Sequence, residues 1–219
     1  MTISQCCLSM LLTYRWASLF TRKNPFARKR YTSIEKDALD LDGTIMKFAG
    51  QRWIALQRIT GGNEKVKLFK SVLNTLQSEQ LVVWCRFTEE VDRLHSAFPD
   101  SRILDKRTKQ VDRPKLLSDF KNHKFRFIFG QPETIKFGSK IEGVKTVIFF
   151  SAPFGLMTRQ QVEKRSIQLY GNNARTLVYD LICTDTVDED NLLSLHAKET
   201  NEQLGKRMIR SAKRRLGID

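Results

Sequence analysis

The spacing of apolar positions along the chain changes twice. In the stretch "YTSIEKDALDLDGTIMKFAGQRWIALQRITGG" the apolar residues Ile45, Phe48, Ile54, Leu56 and Ile59 recur at helical intervals, and the Gly61-Gly62 pair stops the segment. Next, "NEKVKLFKSVLNTLQSEQ" sets Val66, Leu68, Phe69, Val72, Leu73 and Leu76 on one stripe, which predicts an amphipathic helix. At Leu81 the helical period gives way to a continuous apolar run, "LVVWCRF", rich in β-branched and aromatic residues. Such a run predicts a strand buried on both faces.

From there the two patterns alternate. "TEEVDRLHSAF" reads as a helix with Thr88 as N-cap and acids in its first turn. "SRIL" is a short strand, "DRPKLLSDFKNH" a helix with Pro114 in its first turn, and "FRFIFG" and "VKTVIFF" are buried strands. "TRQQVEKRSIQLYG" is a helix, "ARTLVYDLICTD" a strand, and the remainder reads as helices with a basic end. Alternation from about Leu81 to Lys198 predicts an α/β fold, a doubly wound parallel sheet with helices on both faces and helical N- and C-terminal extensions. Four segments follow: a basic N-terminal segment over 1–30, expected to be poorly ordered, a helical lead-in over 31–78, the α/β lobe over 79–199 and a basic C-terminal helix over 200–219. Ligands of such sheets gather at the carboxyl ends of the strands. The loops after Phe87, Phe129 and Phe150 and the helix containing Arg165 are therefore where chemistry is expected.

Composition narrows the partner. With 41% hydrophobic and 10% aromatic residues in 219, the chain has a core and is not disordered throughout. A net charge of +14 draws polyanions, nucleic acid first, an acidic protein or membrane surface next. The charge is concentrated at the ends: residues 1–30 hold six basic and no acidic residues, and six more basic residues fall between Lys206 and Arg215. The C-terminal cluster reads equally as a solvated face or as phosphate contacts. At the N-terminus the positive charges follow the apolar residues and Arg15 interrupts them, which argues against a secretory signal, while a basic transit peptide stays compatible. No run approaches the roughly 20 apolar residues of a membrane span. Cys6, Cys7, Cys85 and Cys183 form no C-x-x-C pair and share no zinc spacing with His95, His123 and His196, so reduced thiols in an intracellular protein, cytoplasmic or nucleoid-associated, and no metal are expected.

Several chemistries lack their residues. There is no G-x-G-x-x-G after a strand, no G-x-x-x-x-G-K-[ST] and no ordered Ser/His/Asp or Cys/His set. The polar stretch "QQVEKRSIQLYGNN" remains, with Gln161, Arg165 and Gln168 at steps of four and three, hence on one helix face. Spacing alone leaves open whether that face is solvated or works.

The order of "LVVWCRFTEEVDRL", "DRPKLLSDFKNHKFRFIFG", "FGSKIEGVKTVIFFSAPF" and "QQVEKRSIQLYGNNARTLVYDLICTDTVDEDN" resembles the second RecA-like lobe, or helicase C-terminal domain, of superfamily-two helicases. Within these it looks most like Swi/Snf-like DNA translocases and their phage and viral relatives, over about Tyr31 to Lys198. The resemblance places Arg86 in the fourth motif, Arg113 and Phe120 around the next helix, and Gly138 on a glycine of the fifth motif. Gln161 and Arg165 match the first glutamine and arginine of the sixth motif, Q-x-x-x-R-x-x-R, and Asp188 and Glu189 match an acidic pair further on. It implies that Arg165 acts on the γ-phosphate of ATP, that Gln161 and Gly138 lie at the nucleotide, and that Arg86, Lys106, Arg107, Lys136 and Lys140 track nucleic-acid phosphates, DNA ahead of RNA. Gln168 stands where the family has its second arginine, and "QPETIKFGSK" departs from the family's small, polar fifth-motif loop.

The sequence contains no Walker A and no D-E-x-H box. ATP and Mg²⁺ are therefore expected only together with a first helicase lobe supplied as a partner, with no ATPase activity from this chain alone. The segment before Arg30 then reads as the remnant of an interlobe region. Two other readings stay open: a nonenzymatic DNA-binding or regulatory module derived from a helicase lobe, and an unrelated doubly wound enzyme with a small-molecule substrate.

Overall fold

The computed structural model describes residues 2–9, 12–20, 25–39, 45–76, 80–136, 141, 144–166 and 176–218. Its strands are β1 (Thr2–Ser9), β2 (Leu12–Phe20), β3 (Leu81–Trp84), β4 (Arg102–Leu104), β5 (Phe127–Gly130), β6 (Thr146–Phe149) and β7 (Thr176–Thr184). The helices are α1 (Pro25–Leu39), α2 (Ile45–Thr60), α3 (Asn63–Leu73), α4 (Thr88–Ala97), α5 (Arg113–Lys121), α6 (Leu156–Ser166), α7 (Val187–His196) and α8 (Asn201–Leu216), with a 3₁₀ turn at Pro132–Lys136. One sheet runs β1-β2-β7-β6-β3-β5-β4. Its pairs are parallel from β2 to β4, as the strand–helix alternation requires.

The run "LVVW" explains why the sheet is buried on both sides. Val82 and Trp84 point to one face, where they meet Phe120 of α5, Ile135 of the 3₁₀ turn and Val162 of α6. Leu81 and Val83 point to the other, against Phe69 and Val72 of α3 and Val91 and Leu94 of α4. Alternation at period two thus feeds two cores. A third cluster joins Tyr31 of α1, Trp53 and Leu56 of α2, Val187 of α7, and Leu204 and Met208 of α8. At the end of β5 a Cβ on Gly130 would lie 2.7 Å from the Leu104 carbonyl and 2.8 Å from the Trp84 ring, so only glycine fits.

Buried charge fixes the helices to the sheet. Arg159 of α6 donates to Asp180 of β7 through two bonds of 2.5 and 2.9 Å, donates to Glu163 at 2.6 Å, and lies 3.6 Å over the Phe149 ring. Burial alone would lower the pKa of Arg159, but Asp180 and Glu163 reverse this and raise it. The lead-in is tied on in the same way. Lys65 of α3, with no exposed surface, meets Asp188 of α7 at 2.6 Å, and Thr60 donates to the same carboxylate at 2.9 Å. At the other end Arg215 of α8 bridges Glu35 of α1 and Asp190 of α7. α1 to α3 and α8 are therefore packed parts of one body with the lobe.

Two local expectations change. Thr2–Ser9 and Leu12–Phe20 are strands, where the sequence pattern gave only a basic segment ahead of a helical extension. They form an antiparallel hairpin, and β2 runs parallel along β7 from Leu12 opposite Thr176 to Phe20 opposite Thr184, covering an edge that would otherwise leave its backbone unpaired. The N-cap of α4 is Phe87 rather than Thr88, because the Glu90 carboxylate reaches back to accept the Phe87 N–H at 3.2 Å.

Candidate nucleotide and nucleic-acid site

The carboxyl ends of β3, β5 and β6 meet around Arg86. Its N–H donates to Ser151 Oγ at 2.7 Å, Ser151 donates on to Glu90 Oε2 at 2.5 Å, and Gln131 Nε2 donates to the Arg86 carbonyl at 3.2 Å. The side chain leans the other way. Its guanidinium donates to Gln57 Oε1 at 2.9 Å and lies 3.9 Å over the Phe154 ring, while Gln57 Nε2 donates to the Ala152 carbonyl at 2.9 Å. Asn191 of α7 adds a bond of 3.2 Å to that carbonyl. Gln57 thus links the lead-in to Arg86. Burial lowers the pKa of Arg86, and Glu133 and Glu90 work against that.

Glu90 is the titratable centre of this cluster. Burial pushes its carboxyl up from 4.5 to about 7, against the opposing influence of Lys65 and the Ser151 bond. Its Oε1 has no hydrogen-bond partner among the described residues and faces Gly61, where a Cβ would lie 2.0 Å away. A folded-state pKa above the unfolded one means the native state holds the extra proton between the two values, so this group makes stability fall as pH rises from about 4.5 to about 7. Glu90→Gln is expected to flatten that part of the profile, as measured by denaturant unfolding at a series of pH values. An unchanged slope in the variant would assign the titration elsewhere.

The other cations are placed differently. Arg107, in the loop after β4, is held by Asp105 at 2.6 and 2.9 Å and by Asp92 of α4 at 2.7 Å, which raise its pKa. Lys106 beside it is exposed and makes no ion pair among the described residues. Arg113 donates to the carbonyls of Thr108 and Thr134, joining that loop to the 3₁₀ turn. Lys136 ends the turn, while Gly138 and Lys140 lie outside the described residues.

On α6 the inward face is Arg159, Val162 and Ser166, the last accepting from Trp84 Nε1 at 3.1 Å. Gln161 and Arg165 come out on the other side, Gln161 exposed and Arg165 half-buried, and neither side chain has an ion pair among the described residues. No bond joins them to Arg86, Lys106 or Arg107 among those residues. Gln168 lies outside the described residues. Sequence reasoning missed Gln57, Glu90 and Ser151. Ser151 was findable as the first polar residue after "VIFF", at a strand's carboxyl end. Among the described residues no group of three His, Cys, Asp or Glu side chains could hold a metal ion, and no helix is long and apolar enough to cross a membrane. Cys85 and Cys183 are buried, and burial pushes the Cys183 thiol up to about 12.

Residues 64–169 match the family model of the helicase conserved C-terminal domain. The chain is 24% identical over 152 residues to protein p41 of Acyrthosiphon pisum secondary endosymbiont phage 1, a stretch that is 67% of this chain and 31% of that protein. It thus spans about a third of the length of that curated relative. Among solved structures it is similar to the Sulfolobus solfataricus SWI2/SNF2 ATPase C-terminal domain, at 14% identity with a TM-score of 0.59, covering 86% of each chain. It is also similar to the ATPase core of the same organism, at 13% identity and TM-score 0.69 over 88% of this chain and 46% of that one. The same core in complex with dsDNA matches at 14% identity and TM-score 0.61 over 94% of this chain and 47% of that one. The chain thus shares the RecA-like α/β fold of the SWI2/SNF2 ATPase C-terminal domain.

Proposed function

We propose that this second helicase lobe serves an ATP-dependent DNA helicase or translocase and works only beside a first lobe that supplies the phosphate loop and the Mg²⁺ carboxylate. The observation that carries this reading is α6. Arg159, Asp180 and the Trp84–Ser166 bond lock the helix to the sheet, and its outer side presents Gln161 and Arg165 without internal ion-pair partners among the described residues. A rigidly mounted arginine that is always charged suits stabilisation of charge developing on a transferred phosphoryl group. Exposed Val111, in the loop after β4, and Met157, in the first turn of α6, offer apolar contact to such a partner at the carboxyl-end rim. The exposed Lys106 and the loops around it suit nucleic-acid phosphates.

On this reading the chain alone binds no nucleotide, which the lack of a glycine-rich loop after a strand and the engagement of Asp105 by Arg107 support. Binding of a fluorescent ATP analogue tests this. The chain alone should show no saturable binding, and adding it with duplex DNA to a SWI2/SNF2-type first lobe should tighten that lobe's nucleotide affinity. Equal affinity with and without the chain would contradict the split site. A regulatory module that binds DNA without a motor is the second reading, favoured by Gln168 in place of an arginine.

A further inference from the structure

The C-terminal helix α8 lies outside the residues matched by the helicase family model and carries charge in a definite arrangement. Its buried side is Leu204, Met208, Ser211 and Ala212. Lys206, Arg210, Lys213 and Arg214 are all exposed. At 100° per residue these four fall within an arc of roughly 100° opposite the buried side. Lys206 pairs with Glu202 at 2.7 Å across one exposed turn, whereas Arg210, Lys213 and Arg214 have no ion pair among the described residues.

The mounting is rigid. Thr200 and Gln203 cap the first turn reciprocally, at 2.8 and 3.3 Å. Gly217 closes the last turn with φ +67, and the buried Arg215 pins that end to Glu35 and Asp190. A helix with loose basic side chains on a frayed end would lose conformational freedom on binding, and this one has little left to lose. Arg215 already answers the carbonyl end of the helix dipole from within the core, so dipole compensation leaves Lys206 and Arg210 unexplained.

We propose that this stripe is a second nucleic-acid contact, which seats the phosphate backbone of a DNA duplex on the outer face of α8, apart from the loops at the carboxyl ends of the strands. From Lys206 to Arg214 the helix rises about 12 Å, matching three or four phosphates of one strand at about 3.4 Å of axial rise each. Three of the four, Lys206, Arg210 and Arg214, also line a groove of about 490 Å³ beside α7, where Glu199 is already paired with Arg207. The inference rests on the nucleic-acid part of the reading above, but on different residues.

Salt dependence of duplex binding separates the two. With a short fluorescent duplex, the triple variant Arg210→Gln/Lys213→Gln/Arg214→Gln is expected to lower the slope of log K against log salt by about 2 to 3, at about 0.9 for each phosphate that is no longer neutralised. Lys29→Gln/Lys36→Gln, which removes exposed charge from α1, should leave the slope within about half a unit, and Lys106→Gln should lower it by about one. A triple variant with the wild-type slope would overturn the α8 contact and leave the carboxyl-end site standing if Lys106→Gln still acts. Loss of affinity for anionic lipid vesicles but not for duplex would overturn it as well. A wild-type chain with no salt-dependent duplex affinity would overturn both. Should the triple variant fail to fold, the single variants Arg210→Gln and Lys213→Gln carry the test, each lowering the slope by about one.

Discussion

Asp188→Ala is expected to destabilise the protein by about 3–5 kcal/mol, the cost of leaving a buried charge without its partner. The reason lies in what Asp188 serves. Its carboxylate receives Lys65 Nζ at 2.6 Å, Thr60 Oγ1 at 2.9 Å and the Cys183 N–H at 3.3 Å. Burial works against the Lys65 ammonium, yet Asp188, with Cys183 and Glu90 adding to it, more than compensates and its pKa is raised. Without Asp188 the ammonium must either lose its proton or tear α3 from the sheet. At about 2–4 °C per kcal/mol for a domain of this size, the unfolding midpoint should drop on the order of 10 °C. Lys65→Met/Asp188→Ala should recover part of that loss, because no stranded charge remains. A single variant that melts within a degree or two of the wild type would mean that Lys65 reaches solvent when unpaired.

The second large effect concerns α6. Arg165→Ala should reduce DNA-stimulated ATP hydrolysis in a two-lobe mixture by about three to five orders of magnitude, the usual worth of an arginine that stabilises a transferring phosphoryl group. Arg165 is half-buried on the outer side of a helix whose packing depends on Arg159, Val162 and Ser166, so the substitution should leave the unfolding midpoint nearly unchanged. Gln168→Arg tests whether an arginine at that position strengthens the proposed motor. If the motor is weakened only by the missing second arginine, hydrolysis in the mixture rises. No gain with Gln168→Arg, together with no loss in Arg165→Ala, would favour the regulatory module.

Much of the fold was legible because the strands are apolar on both faces. "LVVW", "FIFG" and "TVIF" could not be amphipathic helices of useful length, and the helices between them forced a parallel sheet. The hairpin at Thr2–Ser9 and Leu12–Phe20 was hidden because Arg15 and scattered Ser and Thr break the apolar pattern, and pairing with β7 is a property of the partner strand. Polar residues that turned out to be buried were the other blind spot. Lys65 falls within the apolar stripe of α3, three, four and seven residues before Leu68, Phe69 and Val72, but its chemistry reads as solvated, and Arg159 sits in a helix that is polar all round, where periodicity says nothing. The signal was on the opposing elements. Asp180 inside "LVYDLICT" is a charge in a buried strand and demanded a cation, which Arg159 supplies.

The candidate site was legible only in part, and for a related reason. Motif order placed Arg86 at a strand's carboxyl end and Gln161 with Arg165 on one helix, which is where they stand. It could not show that Gln57, 29 residues upstream, holds the Arg86 guanidinium, or that Arg107 is engaged by Asp105 and Asp92. Those interactions depend on how the lead-in and the α4 face pack in three dimensions, not on spacing along the chain.

The most direct test of a lobe that completes an ATP site is phosphate release measured for the chain, for a SWI2/SNF2-type first lobe and for their mixture, each with and without duplex DNA. Hydrolysis above the sum of the separate proteins, appearing only in the mixture and rising with DNA, is the predicted result. A mixture that releases phosphate no faster than the first lobe alone would contradict it.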